Sequence, residues 1–168
     1  EEGLQHLVTL QNLTFLDLGM TGVKTDLSAL KKLPKLNKLD LMLTKVDDDA
    51  LKTIAGMKSL ETLYLSKSLI TDQSVATLRT FPKLTALAIR RSRFTKAGIR
   101  DLCESKLSLH TLAIDEIQID DETIQALGTM KSLKILWILD VGINSVQLEH
   151  LQSLLPNCAI ESELTIVD

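Results

Sequence analysis

The sequence predicts an α/β solenoid, with a parallel β-sheet on a concave face and short helices on the convex face. Three observations predict it. An apolar motif returns six times at nearly even spacing. Within each copy the apolar period changes from two residues to three. Leucine dominates the apolar residues and aromatics are only 3% of the chain, so one medium-sized side chain fills the same packing position repeatedly.

The copies begin at Leu13, Leu36, Leu60, Leu84, Leu109 and Leu133, at intervals of 23, 24, 24, 25 and 24 residues. A degenerate seventh start follows at Cys158. The first, fourth and sixth positions of each copy are apolar, as in Leu60, Leu63 and Leu65. Alternation at the fourth and sixth positions is the period of a strand. Five residues further on, Val23, Val46, Ile70, Phe94, Ile119 and Ile143 bring the chain back to the core. The next residue in copies two to six is Asp47, Thr71, Thr95, Asp120 or Asn144. Each is expected to cap a helix, because a short side-chain oxygen can accept a free backbone N–H. Asp48, Asp49, Asp72, Asp121 and Glu122 suit the positive end of the helix dipole. Gln147 completes a capping box with Asn144.

The helix follows as an i, i+3 stripe: Leu27/Leu30, Leu51/Ile54, Val75/Leu78, Ile99/Leu102, Ile124/Leu127 and Leu148/Leu151. Pro34, Pro82 and Pro156 stop three of the helices just before the next strand. A unit this short cannot bury its own stripe. Stacked, each unit buries about six apolar side chains, worth roughly 1.5–3 kcal/mol apiece before chain entropy is charged. Successive strands then run parallel. The helix layer is wider than the strand layer, so a curved right-handed superhelix is expected.

This pattern resembles the leucine-rich-repeat family, over nearly the whole chain. It is most similar to a bacterial class whose repeats read L-x-x-L-x-L-x-x-T-x-I-T-D-x-x-L-x-x-L. Leu60 to Leu78 is the nearest copy, and Leu155 to Cys158 is similar to the close of such arrays. The resemblance implies a protein-binding module without catalytic activity. It also implies Asn at the ninth repeat position, bonding the backbone of the neighbouring turn. Here that column reads Thr21, Thr44, Ser68, Ser92, Ile117 and Val141. Four hydroxyls can form such a ladder, whereas Ile117 and Val141 must close their turns by packing.

Residues 1–168 read as a single domain. Residues 1–12 are a partial repeat or an N-terminal cap helix, since Leu4, Leu7 and Leu10 match the helix stripe. The absence of a strand ahead of them favours a chain cut from a longer protein. Residues 13–157 hold the six repeats, and 158–168 form a closing segment.

Several function classes are disfavoured. The net charge of −3 argues against a general nucleic-acid binder, which needs a basic excess. The run Ile135–Leu139 ends at Asp140, far short of the roughly 18 apolar residues that span a bilayer. His6, His110 and His150 fall on different units, and no cluster has metal-ligand spacing. Neither a phosphate loop nor a nucleophile elbow is present. No catalytic residue, metal or cofactor is predicted. Two repeats separate Cys103 from Cys158, beyond disulfide reach, and both read as buried small apolar residues. The compartment stays open.

Candidate function lies in the strand residues facing the concave side, at positions three, five and seven. Column five reads Asp17, Asp40, Tyr64, Ala88, Ala113, Trp137. The one Trp and the one Tyr of the chain both fall there, and aromatic anchors are enriched at binding hot spots. Ile135 and Leu139 flank Trp137 on the same face. That apolar patch either meets a partner, including a second copy of the chain, or is covered by the tail Ala159–Asp168. Tyr64 is either a second anchor or an isolated surface aromatic. Arg90, Arg91 and Arg93 form an acidic-partner site or, more simply, pair with Asp115 and Glu116 one strand later. Asp17 and Asp40 should sit about 4.8 Å apart. They suit an acidic patch for a basic partner better than acid–base or metal chemistry. The expected function is binding of a protein partner, of unknown identity, through Trp137, Tyr64, Ile135, Leu139, Arg90 and Asp40. The alternative is a structural spacer or docking platform within a longer multidomain protein.

Overall fold

The computed structural model describes residues 2–162. Its strands are β1 (Phe15–Asp17), β2 (Lys38–Asp40), β3 (Thr62–Tyr64), β4 (Ala86–Ala88), β5 (Thr111–Asp115), β6 (Ile135–Leu139) and β7 (Ala159–Ser162). They form one parallel sheet whose spatial order is the chain order. The helices are α1 (Glu2–Leu7), α2 (Asp48–Lys52), α3 (Ser74–Leu78), α4 (Lys96–Glu104), α5 (Asp121–Gly128) and α6 (Ser145–Leu154). A 3₁₀ turn, Ser28–Lys32, stands between β1 and β2. That interval is the shortest, 23 residues, and a 3₁₀ turn rises about 2.0 Å per residue against 1.5 Å for an α-helix, so it spans the same gap with fewer residues. Among the described residues no helix is long and apolar enough to cross a membrane.

The register follows the repeat. Leu39, Leu63, Leu87, Leu112 and Leu136 face one another across successive strands and are buried. Their neighbours on the strands stay half-exposed, apart from the buried Ala113. Behind the sheet the helix stripe is buried from Leu27 to Leu127, and in the last pair Leu151 is buried while Leu148 is half-buried. Both cysteines are free and only half-buried against this core. Burial pushes the Cys103 thiol up to about 12 and the Cys158 thiol up from its ordinary value.

Four expected caps form. Asp47, Thr95, Asp120 and Asn144 accept the amides of Ala50, Gly98, Thr123 and Gln147. Gln147 closes the capping box on Asn144. Thr71 does not cap α3, which begins later, at Ser74: its hydroxyl accepts the Gln73 amide at 3.2 Å and donates to Asp48 Oδ2 at 2.7 Å. The donation to Asp48 does not exclude a cap, since Thr95 donates to Asp72 in the same way and still caps α4. The later start of α3 puts its first amides out of reach.

The hydroxyl column also differs from expectation. Thr21, Thr44, Ser68 and Ser92 donate to the carbonyls of Leu18, Leu41, Leu65 and Ile89 in their own repeats at 2.6–2.7 Å, not to the neighbouring turn. A hydroxyl is shorter than an Asn amide and satisfies the nearest carbonyl. Ile117 and Val141 are buried and close their turns by packing.

The connection between turns comes one residue earlier. The eighth position of every repeat is left-handed: Met20, Leu43, Lys67, Arg91, Glu116 and Asp140 have φ of 50–57°. The Met20, Leu43, Lys67 and Glu116 amides donate to the seventh carbonyl of the next repeat at 2.7–3.2 Å. Arg91 breaks the series by donating its amide to the Asp115 carboxylate.

Asp120 carries the densest ion-pair set on the convex side. Lys96 Nζ lies 2.6 Å from Oδ2, Arg100 reaches Oδ1 at 3.2 Å, and the Thr123 hydroxyl donates at 2.7 Å. The hydrogen bond from Lys96, then those from Thr123, hold the carboxyl well below its ordinary 3.8. A carboxyl lowered on folding stabilises the fold above the unfolded value, and that stabilisation is lost as pH falls through the folded one. Urea midpoints measured downward from about pH 4 should therefore fall less steeply for Asp120→Asn than for wild type. Parallel curves would remove Asp120 from the acid response.

Candidate functional site: the strand face

The sheet brings three groups of predicted residues onto its open face. Ile135, Trp137 and Leu139 alternate along β6, each half-exposed. The Trp137 indole N–H donates to Glu161 Oε2 at 2.6 Å. Glu161 stands opposite Trp137 because β7 pairs with β6 in register. Residues 159–162 thus extend the sheet at its edge rather than folding over the face, since backbone pairing satisfies the β6 edge directly. Residues 163–168 of the expected covering tail lie outside the described residues.

Tyr64 and Asp40 form the second group, opposite each other on β3 and β2. Tyr64 is not isolated. The Lys38 ammonium lies 5.2 Å from its ring centroid and 4.8 Å from that of Phe15. Two aromatic faces thus hold one cation across three strands. Asp40 Oδ1 accepts the Met42 amide at 2.8 Å, and Asp17 Oδ1 accepts the Gly19 amide at 2.8 Å. Each carboxylate is turned into its own tight turn. The pair is therefore not arranged as an acid–base couple.

Between Tyr64 and Trp137 the fifth column is Ala88 and Ala113, in direct register. Three strand spacings of about 4.8 Å put the two aromatics roughly 14 Å apart. Ala86 widens the gap on β4. The fifth column between the two aromatics is thus a trough of small side chains, with Ala88 half-exposed and Ala113 buried.

Arg90 is the third group. Its Nε donates to Asp115 at 3.0 Å, and Arg91 pairs with Glu116 at 2.8 Å. These are the expected cross-strand pairs. Asp115 is only 2% exposed, so its charge is compensated within the fold. Among the described residues no three His, Cys, Asp or Glu side chains come together in an arrangement able to hold a metal.

Two features were missed at the level of sequence. Phe15 and Lys38 lie in the third column, in register with Thr62, and the diagonal reach of Lys38 to the Tyr64 ring is not signalled by column. Met20, Met42 and Leu43 are exposed beside the face at 73%, 38% and 41%. Alternation along a strand does not describe a left-handed turn, so columns three, five and seven could not signal Met20 and Leu43.

No protein-family model and no curated protein matches the chain. Its structure does match a solved one, the leucine-rich-repeat protein LIC12759 of Leptospira interrogans. The TM-score is 0.59 at 20% identity, covering 92% of this chain and 38% of that chain. The chain has the leucine-rich-repeat fold: a parallel sheet and a layer of short helices wound as one solenoid. It spans well under half the length of the protein it matches.

Proposed function

We propose that this chain is a non-catalytic protein-binding module that receives its partner on the open strand face. Residues 13–157 supply the face, as part of a single unit spanning 1–168. The observation that carries the reading is the register that sets only Ala88 and Ala113 between Tyr64 and Trp137 in the fifth column. Small residues let a partner's backbone approach closely, while the aromatics offer large rigid contact areas at little cost in ordering. Ile135 and Leu139 extend the apolar wall, Asp40 stands beside Tyr64 on β2, and Arg90 stands at the rim just past β4, as polar contacts.

Affinity capture with immobilised wild type and Trp137→Ala, quantified by mass spectrometry, tests this. A hot-spot tryptophan contributes about 2 kcal/mol or more, so a true partner should fall roughly thirtyfold on the variant. An identical bound set on both baits would leave the face without a binding role and favour the spacer reading. Light scattering on wild type and Trp137→Asp separates the occupants: a dimer that becomes a monomer identifies a second copy as the partner.

A further inference from the structure

We infer that the rim at the C-terminal ends of β1–β4 is a second docking surface, for an acidic peptide segment carrying bulky apolar side chains. The surface adjoins the trough at Arg90 but is built mainly from residues that the trough does not use: Met20, Met42, Leu43 and Lys67. Met20 and Leu43 sit at the left-handed eighth position, where Gly, Asn or Asp costs least. They are also 73% and 41% exposed. An apolar side chain there gains little from burial and carries the penalty of a left-handed backbone. With Met42 they make up three of the six exposed large apolar side chains among the described residues. The left-handed backbone itself serves the fold, since the Met20 and Leu43 amides reach the next repeat, but the exposed apolar side chains do not.

The same column then turns basic, as Lys67 and Arg91, before it turns acidic at Glu116 and Asp140. A cavity of about 230 Å³ joins the two stretches, lined by Met42, Ser66, Lys67, Arg90, Arg91 and Asp115. That volume suits a single side chain rather than a cofactor. Asp115 and Glu116 occupy Arg90 and Arg91. Lys67 and Arg93 have no ion-pair partner among the described residues. The rim therefore presents methionine and leucine between the Asp40 carboxylate, held by the Met42 amide, and the positive charge of Lys67. A partner's acidic end thus lies toward Lys67 and its apolar end toward Met42 and Leu43. Methionine adapts to varied apolar partners. A carboxylate beside an apolar side chain complements both halves. A long polyanion would run on to Glu116 and Asp140 and be repelled.

The experiment is fluorescence anisotropy with a short labelled peptide of Leu and Glu, titrated with the full chain. Its controls are a Ser-for-Leu twin, a Lys-for-Glu twin and an oligothymidylate of matched charge. The Leu/Glu peptide should bind more tightly than all three. Lys67→Glu and Leu43→Asp should each weaken it by about tenfold, by charge reversal and by loss of apolar contact. Trp137→Ala should leave it unchanged, which separates this surface from the trough. Equal binding of the Ser twin or the oligothymidylate overturns the proposal, as does the absence of binding at about 1 mM. A second readout is stability: Leu43→Asn should match or exceed wild type in urea, because Asn tolerates the left-handed backbone. A clear loss would make Leu43 a folding residue and overturn the argument from its exposure.

Discussion

Leu87→Ala is expected to destabilise the chain by about 2–5 kcal/mol. Leu87 is the middle residue of β4, 1% exposed, and lies between Leu63 and Leu112 in register. Truncation removes the transfer free energy of the side chain and leaves a cavity walled by two strands that cannot close on it. Units in such a stack contact only their neighbours, so stability is close to a sum of units and interfaces. Damage at a central unit weakens two interfaces. Leu16 offers a control at the same repeat position: it is half-buried on the edge strand β1, with a neighbouring strand on one side only. Leu16→Ala should cost less, about 1–2 kcal/mol. Urea denaturation followed by circular dichroism measures both. A loss under about 1 kcal/mol at Leu87, or equal losses at the two sites, would contradict the register.

The contrast also shows what was legible in the sequence. Leucines at the first, fourth and sixth positions report burial directly, because apolar area drives the fold and recurs with the period of the element. The sheet, its register and the buried stripe were therefore readable. So were the cross-strand pairs of Arg90 and Arg91, since a register places charges opposite each other. Polar side chains were less legible because each has several acceptors in reach. Thr71 and Thr95 both donate to an aspartate of the preceding repeat, yet only Thr95 caps a helix, and residue type alone does not separate them. The hydroxyls of Thr21 and Thr44 could face the next turn or their own repeat, and they take the nearer carbonyl. The left-handed column carried no glycine to announce it, so the exposure of Met20 and Leu43 emerged only from the backbone. At the trough, the aromatics were visible by column, whereas the grip of Glu161 on Trp137 depended on β7 pairing at the edge.

These polar choices join into a chain of contacts across the helix starts. Asp48 holds Thr71 and Ser74, Asp72 holds Thr95, Lys96 and Arg100 hold Asp120, and Asp121 holds Gln147. Every neighbouring pair from α2 to α6 is thereby linked. Gly98 belongs to this arrangement, because a Cβ there would run into the Asp72 carboxylate. Apolar stacking alone lets helices slide along one another. A carboxylate fixed to the next unit's backbone sets their offset, and with it the alignment of strand-face residues in front.

Asp48→Ala is the sharpest test of that role, with an expected loss of about 2–4 kcal/mol. Its Oδ1 accepts the Thr71 amide at 2.9 Å and the Ser74 hydroxyl, and its Oδ2 accepts the Thr71 hydroxyl at 2.7 Å. Ser74 is fully buried, so its hydroxyl would be stranded, and each stranded donor costs about 1–3 kcal/mol. Asp48 and Thr71 are half-buried, so water recovers part of this, which keeps the total below the sum. Asp48→Asn retains one acceptor oxygen and should lose about half as much. Asp72→Ala should be milder, because Thr95 is exposed and water can replace the carboxylate. Hydrogen exchange gives the local readout: the Thr71 amide should exchange faster in Asp48→Ala even where global stability is restored by a stabilising osmolyte. A global loss without that local change would assign the effect to the α2 helix dipole. An unaltered Thr71 amide together with a loss under about 1 kcal/mol would mean that apolar packing alone sets the offset between units.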